Sequence, residues 1–252
     1  MTGEGAAADR RVPFVRRHQG LLVAALGVAL AAVVVLGLIA VAFSPSKPPR
    51  LVTIPVADRN ASPALVSAAQ AVGFLPAKTS GSIENEPASA ASASASGLLP
   101  VGSQAPPFAL RTPAGTRVAL AALRGKAVLL EFFATWCPHC GAEAAHLRAL
   151  YGSLPKTKVA FVAVNADSEN GPSVFAYHVY FQLPFPALLD PGNGAVSWPD
   201  HGPRGPVTGS YGVSGFPTFY VLDRFGRVRW RGLGEQPDAF LRSELRQAAG
   251  LQ

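Results

Sequence analysis

The chain has 252 residues, a formal charge of +7 at neutral pH, 49% hydrophobic residues and two cysteines. That length holds one domain of about 150 residues with extensions and is short for two full domains. The basic excess is scattered, with no basic run and no basic–aromatic alternation, which argues against a nucleic-acid partner and makes an anionic membrane surface the more natural neighbour.

After a tail over 1–19, the stretch Gly20–Phe43 is apolar for 24 residues without a charge. As a helix it reaches about 36 Å, enough to cross a hydrocarbon core of about 30 Å with some tilt. Arg10, Arg11, Arg16 and Arg17 precede it and only Lys47 and Arg50 follow closely, so the positive-inside rule places the N-terminus in the cytoplasm. The expectation is a single-pass signal anchor in a bacterial-type cytoplasmic membrane, with everything after Phe43 outside. A cleaved signal peptide ending at Ala40-Val41-Ala42 is the rival reading, but its apolar core would exceed the usual length of about 7–15 residues. A buried core helix is excluded because no face of the segment is polar.

Residues 44–97 read as a tether, since both ends are rich in Pro, Ser and Ala and cannot build a core. Within it, Ser62-Pro63 followed by ALVSAAQAVGF has an N-cap, a proline at the first helical position and a short amphipathic pattern. Such a helix could pack on the domain or on the membrane. From Leu98 the texture changes. PPFALRTPAGTRVAL has two alternating runs around Pro-Ala-Gly, the pattern of a hairpin. Lys126–Phe133 is a nearly unbroken apolar strand of the kind buried on both faces of a sheet. A helix is expected after Trp136 to about Leu150, a second buried strand over Lys158–Asn165, a helix over Gly171–Phe181 and a short strand over Pro186–Asp190. Ser197–Thr208 shows no regular pattern. Thr218–Asp223 and Arg227–Arg231 form a hairpin across Arg224-Phe225-Gly226, and Pro237–Ala249 has helical apolar spacing. Strands alternating with helices, then a hairpin and a final helix, predict an α/β sandwich with a mixed sheet over 98–252.

Both cysteines fall in one Cys-x-x-C, Cys137 and Cys140, directly after the apolar strand. Three residues apart on a helix, the two sulfurs share a face and can bridge. Pro138 suits the first helical position, which puts Cys137 at a helix N-terminus, where free amides and the dipole favour a thiolate. His139, when protonated, adds a positive charge beside it. A structural disulfide would close almost no chain and stabilise little. A structural zinc site needs four ligands, and neither a second cysteine pair nor a His-x3–5-His is present. Copper held by the two cysteines and a histidine is an open alternative. His146 and His178 read as ordinary helix residues without metal-ligand spacing.

VGSQAPPFAL, LRGKAVLLEFFATWCPHC and VSGFPTFYVLDRFGRV follow one another as the opening, active-site and cis-proline blocks of a known family. From Leu98 to Gly250 the chain resembles the thioredoxin-fold redoxins of the membrane-anchored TlpA/ResA type. That resemblance implies a thiol-disulfide oxidoreductase with no bound cofactor, its redox group being the Cys137–Cys140 disulfide. It makes Cys137 the attacking cysteine and Cys140 the resolving one. It makes Pro217 a cis proline facing the disulfide, with Phe216 presented to an extended substrate. Trp136 resembles the aromatic before the active site, with plain core packing as the bland reading. Glu131, six residues before Cys137 in an apolar strand, matches the acid that shuttles a proton to the buried cysteine. The rival is a solvated edge position. Glu143 matches a glutamate of ResA-like reductases three residues after the second cysteine, and reads equally well as an exposed first-turn acid complementing the helix dipole.

The resemblance leaves the direction of electron flow open. The scaffold implies a reductant of extracytoplasmic protein disulfides, for instance of apocytochrome c, fed by a membrane electron-transfer partner. The Pro-His dipeptide instead resembles the oxidant DsbA, poised at about −120 mV against about −270 mV for thioredoxin. The span from Asn165 to Phe216 is too short for DsbA's helical insertion. Two further classes match the spacing less well. A peroxiredoxin-type peroxidase wants a Thr three residues before the reactive cysteine, where this chain has Ala134. A Sco-like copper chaperone uses Cys-x-x-x-C with a distant histidine; the spacing here is one short, and neither His178 nor His201 can be placed near the site.

Overall fold

The computed structural model describes residues 58–77, 97–192 and 204–251. The apolar run Gly20–Phe43 and His201 lie outside them, and among the described residues no helix is long and apolar enough to cross a membrane.

The first described element is α1, Pro63–Val72. The Ser62 hydroxyl accepts the Leu65 amide proton at 3.2 Å, Pro63 opens the first turn, and Gly73, at φ 61°, closes the last. The hairpin follows as β1, Ala109–Arg111, and β2, Arg117–Ala119, leading into a 3-10 turn over Leu120–Leu123. Then come β3, Ala127–Phe133; α2, Pro138–Ser153; β4, Val159–Asn165; α3, Gly171–Tyr180; and β5, Ala187–Leu189. The chain ends with α4, Pro206–Ser210; β6, Thr218–Leu222; β7, Val228–Leu233; and α5, Asp238–Ala248. The stretch expected to be irregular thus ends in a helix. Five residues carry no readable periodicity, and α4 is held from outside by Asp190, whose carboxylate accepts the amide protons of Val207 at 3.3 Å and Thr208 at 2.7 Å.

The strands form one sheet in the order β2-β1-β5-β4-β3-β6-β7. β3 runs parallel to β4 and antiparallel to β6, so the sheet is mixed, as a thioredoxin-like fold requires. All seven residues of β3 are buried, which is why its sequence is an apolar run rather than an alternation. Leu129 and Phe133 point towards α2 and α5, packing with Leu147, Leu241 and Leu245. Val128, Leu130 and Phe132 point to the other face, against Phe108, Val207 and Tyr211. The sheet therefore holds the segment after Phe133 between two cores, at the end where β3 gives way to α2.

Gly212 closes α4 before the chain turns towards Phe216. Its φ is +67°, and a Cβ there would lie 2.0 Å from the Gly97 carbonyl oxygen. Gly212→Ala combines a left-handed backbone with a main-chain clash and is expected to destabilise the protein by about 2 kcal/mol or more. Thermal denaturation followed by circular dichroism checks this; an unchanged melting temperature would count against the close approach of Gly97 and Gly212.

Candidate active site

Cys137 occupies the N-cap of α2, with Pro138 at the first helical position, and Cys140 lies one turn on. Both are free thiols, Cys137 5% exposed and Cys140 fully buried. The Cys140 thiol hydrogen-bonds the Cys137 sulfur, and the amides of Cys140 and His139 point at it. Against the opposing effect of burial, these contacts lower the Cys137 pKa from 9.0 to about 7, the His139 charge adding the smallest share. Burial drives the Cys140 thiol well above its usual value, and the Cys137 sulfur beside it pushes the same way. One helix turn thus gives one thiol ready to ionise and one held protonated. The His139 Nδ1 lies 3.0 Å from Glu235 Oε1. A carboxylate at that distance opposes the positive charge an imidazolium offers Cys137.

Glu131 sits in the middle of β3, opposite Ala163 of β4 and Phe219 of β6, and is 4% exposed. The edge reading is excluded. Burial raises its pKa well above the usual carboxylate range, and the charges of Glu143 and Cys137 add to the rise. Glu143 is 2% exposed, so it is no solvated first-turn acid. Burial and then the Glu235 charge raise its pKa to about 8, against the lowering effect of a hydrogen bond with the Gln236 backbone.

The Phe216–Pro217 peptide is cis, and the Cys137 thiol lies 3.7 Å from the Phe216 carbonyl oxygen. Trp136 is 41% exposed, which excludes plain core packing. Its ring meets that of Phe216 edge-on at 5.9 Å, and its Nε1 donates to Asp167 at 2.6 Å. Cys137 is thereby flanked by two aromatic side chains and faced by backbone.

This geometry is that of a Cys-x-x-C exchange site, and the comparisons agree. Residues 101–231 match the model of the AhpC/TSA family. The chain belongs to that family. It is 30% identical over 138 residues to the thiol-disulfide oxidoreductase ResA of Bacillus anthracis, covering 55% of this chain and 72% of that protein. It is 34% identical over 130 residues to the thioredoxin-like protein YneN of Bacillus subtilis, covering 51% and 68%. A solved structure from Chlorobium tepidum, assigned as the thiol:disulfide interchange protein DsbE, superposes with a TM-score of 0.52 at 27% identity, covering 60% of this chain and 99% of that one. This member of the AhpC/TSA family is a thiol-disulfide oxidoreductase of the ResA/DsbE type. Peroxidase chemistry finds little support at the site. Ala134 is fully buried and has no hydroxyl, while the Thr135 hydroxyl is bound to Glu169.

Several side chains around the pair carry no sequence motif. Glu169 accepts the Thr135 amide proton at 2.7 Å and a hydrogen bond from its hydroxyl, while the Asn165 side chain donates to the same carboxylate at 2.5 Å. The β4–α3 turn thus grips the residues just before Cys137, with Asp167 doing the same for Trp136. Tyr177 donates its hydroxyl to the Cys140 carbonyl oxygen at 2.9 Å. The one available signal was VNADSEN, five polar residues crowded at the end of a buried strand. Among the described residues no cluster of three His, Cys, Asp or Glu side chains is placed to hold a metal ion. His178 is committed elsewhere, to Asp58.

Because the pKa of Glu143 is 4.5 in an unfolded chain and about 8 in the folded one, the folded protein retains a proton that the unfolded chain releases between those values. Stability falls as pH rises through that window. Glu143→Gln removes this slope, so its stability relative to wild type should grow from pH 4.5 to about 8. Melting temperatures across the window test this; a constant difference would mean Glu143 ionises freely in the folded state.

Proposed function

We propose that the protein is an anchored, extracytoplasmic reductant of protein disulfides. The observation that carries this reading is the Cys137 thiol, poised near neutral pH at a helix N-terminus and facing the carbonyl before a cis proline, with Cys140 buried behind it. A pKa of about 7 lies at the thioredoxin end of the Cys-x-x-C range and far from about 3.5 for DsbA. The Pro-His dipeptide would favour an oxidant, and the Glu235 carboxylate against His139 works in the opposite direction. The extracytoplasmic placement rests on Gly20–Phe43 and the arginines before it. Substrates are protein disulfides outside the cytoplasm, apocytochrome c among them, and a membrane donor returns electrons to the pair.

In the reducing direction the Cys137 thiolate attacks a substrate disulfide and expels one substrate sulfur, leaving a mixed disulfide. Cys140 then loses its proton and attacks Cys137, which releases the second substrate sulfur and closes the Cys137–Cys140 bond. Glu131, coupled electrostatically to both cysteines, first releases its own proton to solvent as the mixed disulfide forms, and then, as the carboxylate, takes the proton of Cys140. Forming the mixed disulfide removes the Cys137 charge, which is one of the influences holding both Glu131 and Cys140 protonated. Attack on substrate therefore eases the ionisation that the second step needs. Trp136, Phe216 and Pro138 border the approach to Cys137, and an extended substrate chain would pair with the backbone at Phe216.

Cys137→Ser should abolish exchange, and Cys140→Ser should accumulate mixed disulfides resolvable by non-reducing electrophoresis. The reduction potential, from equilibration with glutathione, should lie nearer about −270 mV than about −120 mV. A value at the DsbA end would turn the proposed direction round. Failure of both variants and wild type to form any mixed disulfide would remove the exchange function itself.

A further inference from the structure

We propose that residues 58–77 are a strap belonging to the redox site, which positions Cys140 through Tyr177. The inference rests on the exchange function proposed above and gives a role to a stretch whose flanks have the composition of a spacer.

The strap is anchored at both ends against α3. At its start, Asp58 Oδ2 lies 2.6 Å from His178 Nδ1, and both side chains are only 1% exposed. A buried hydrogen bond of this kind leaves an unsatisfied polar group when one partner is missing, so α3 is built to have Asp58 in place. Along α1, Ala69 is buried against Phe175, Ala176 and Val179, with Leu65 and Val66 beside it. Past Gly73, the Phe74 ring meets Tyr177, Tyr180 and Phe181 edge-on, at centroid separations of 5.6, 5.4 and 6.2 Å.

Two of those three rings touch the active-site helix. The Tyr177 hydroxyl donates to the Cys140 carbonyl oxygen at 2.9 Å. The Phe181 ring lies over Gly141, where a Cβ would stand 3.3 Å from its tip. A continuous packed path therefore runs from Phe74 through Tyr177 to the backbone of the resolving cysteine, and it bypasses Cys137. Tyr177 also packs on Phe133, the last residue of β3, at 5.0 Å, so its ring is fixed from the sheet on one side and from the strap on the other. In this arrangement the strap acts on the second chemical step. That step moves one electron pair: Cys140 gives up its proton, its sulfur bonds to Cys137, and the Cys137–substrate bond breaks with its electrons leaving on the substrate sulfur. Its rate depends on how closely the Cys140 sulfur is held in line with that bond.

The test follows both steps in the full-length chain by stopped-flow, with oxidised glutathione as the model disulfide. Phe74→Ala should slow resolution of the Cys137–glutathione disulfide by about three- to tenfold, the scale of losing one positioned hydrogen bond, and leave its formation within about twofold of wild type. Phe74→Leu, which keeps most of the packing, should recover most of the resolution rate. In a Tyr177→Phe background, Phe74→Ala should add no further slowing. Asp58→Asn loosens the strap at its other end and should give the same selective effect in smaller degree, which keeps the test available if Phe74→Ala fails to fold. Equal slowing of both steps, an unchanged resolution rate, or additive effects in the double variant overturns the strap while leaving exchange intact. A wild-type chain that forms no glutathione adduct overturns the exchange function, and the strap with it.

Discussion

A carboxyl group in the middle of a fully buried strand is the constraint around which the site is arranged. Glu131 is flanked by β4 on one side and β6 on the other, with no edge through which water could solvate its charge. Such a group either neutralises itself or couples to other charges close by. Here it does both: its proton is held far more tightly than in water, and that affinity responds to the charge on Cys137. The strand direction decides which charges matter. Glu131 shares its face of the sheet with Leu129 and Phe133, the face covered by α2, and α2 starts at the cysteine pair. The same pleat that buries the acid therefore aims it at the thiols.

The difference between the two thiols is a difference of depth and of backbone, within a single helical turn. Cys137 receives amides that α2 cannot satisfy internally, together with the Cys140 thiol proton. Cys140 lies inside the helix, where burial outweighs the one opposing contribution, a hydrogen bond with the Ala134 backbone. The dipeptide between them matters less than its resemblance to an oxidant's motif implies. His139 reaches Glu235, from the turn after β7, and Glu235 also faces Glu143. The electrostatics of the motif are thus completed by a residue almost a hundred positions away. A Cys-Pro-His-Cys sequence in this scaffold is not the same chemical object as one in another.

What could be read from the sequence followed from local rules. β3 and β4 are apolar runs because both faces are buried, the Ser62-Pro63 start of α1 is a capping signal, and Pro138 marks where α2 begins. Glu131 stood out because a lone acid in such a run is expensive. The rest depended on contacts between distant segments, which carry no periodicity. Five residues of α4 are fixed by Asp190, and the grip on Thr135 comes from Glu169 across the β4–α3 turn. Glu143 could be read two ways because helical position alone does not say which face α5 covers. His178 looked ordinary because its partner, Asp58, lies in a stretch whose flanks argue for a spacer.

Composition does not by itself say which segments a core recruits. Pro-, Ser- and Ala-rich sequence cannot form a core of its own, but a short helix need only supply one apolar face to a core that already exists. α1 has a single fully buried residue, Ala69, and would not stand alone. It holds because α3 presents Phe175, Ala176 and Val179 outward, away from the sheet, where they require a cover. The buried Asp58–His178 pair has the same logic, since neither partner is satisfied by its own segment. The apolar outer face of α3 therefore recruits α1 to the core, and it does so from a helix whose Tyr177 bonds the backbone of the resolving cysteine.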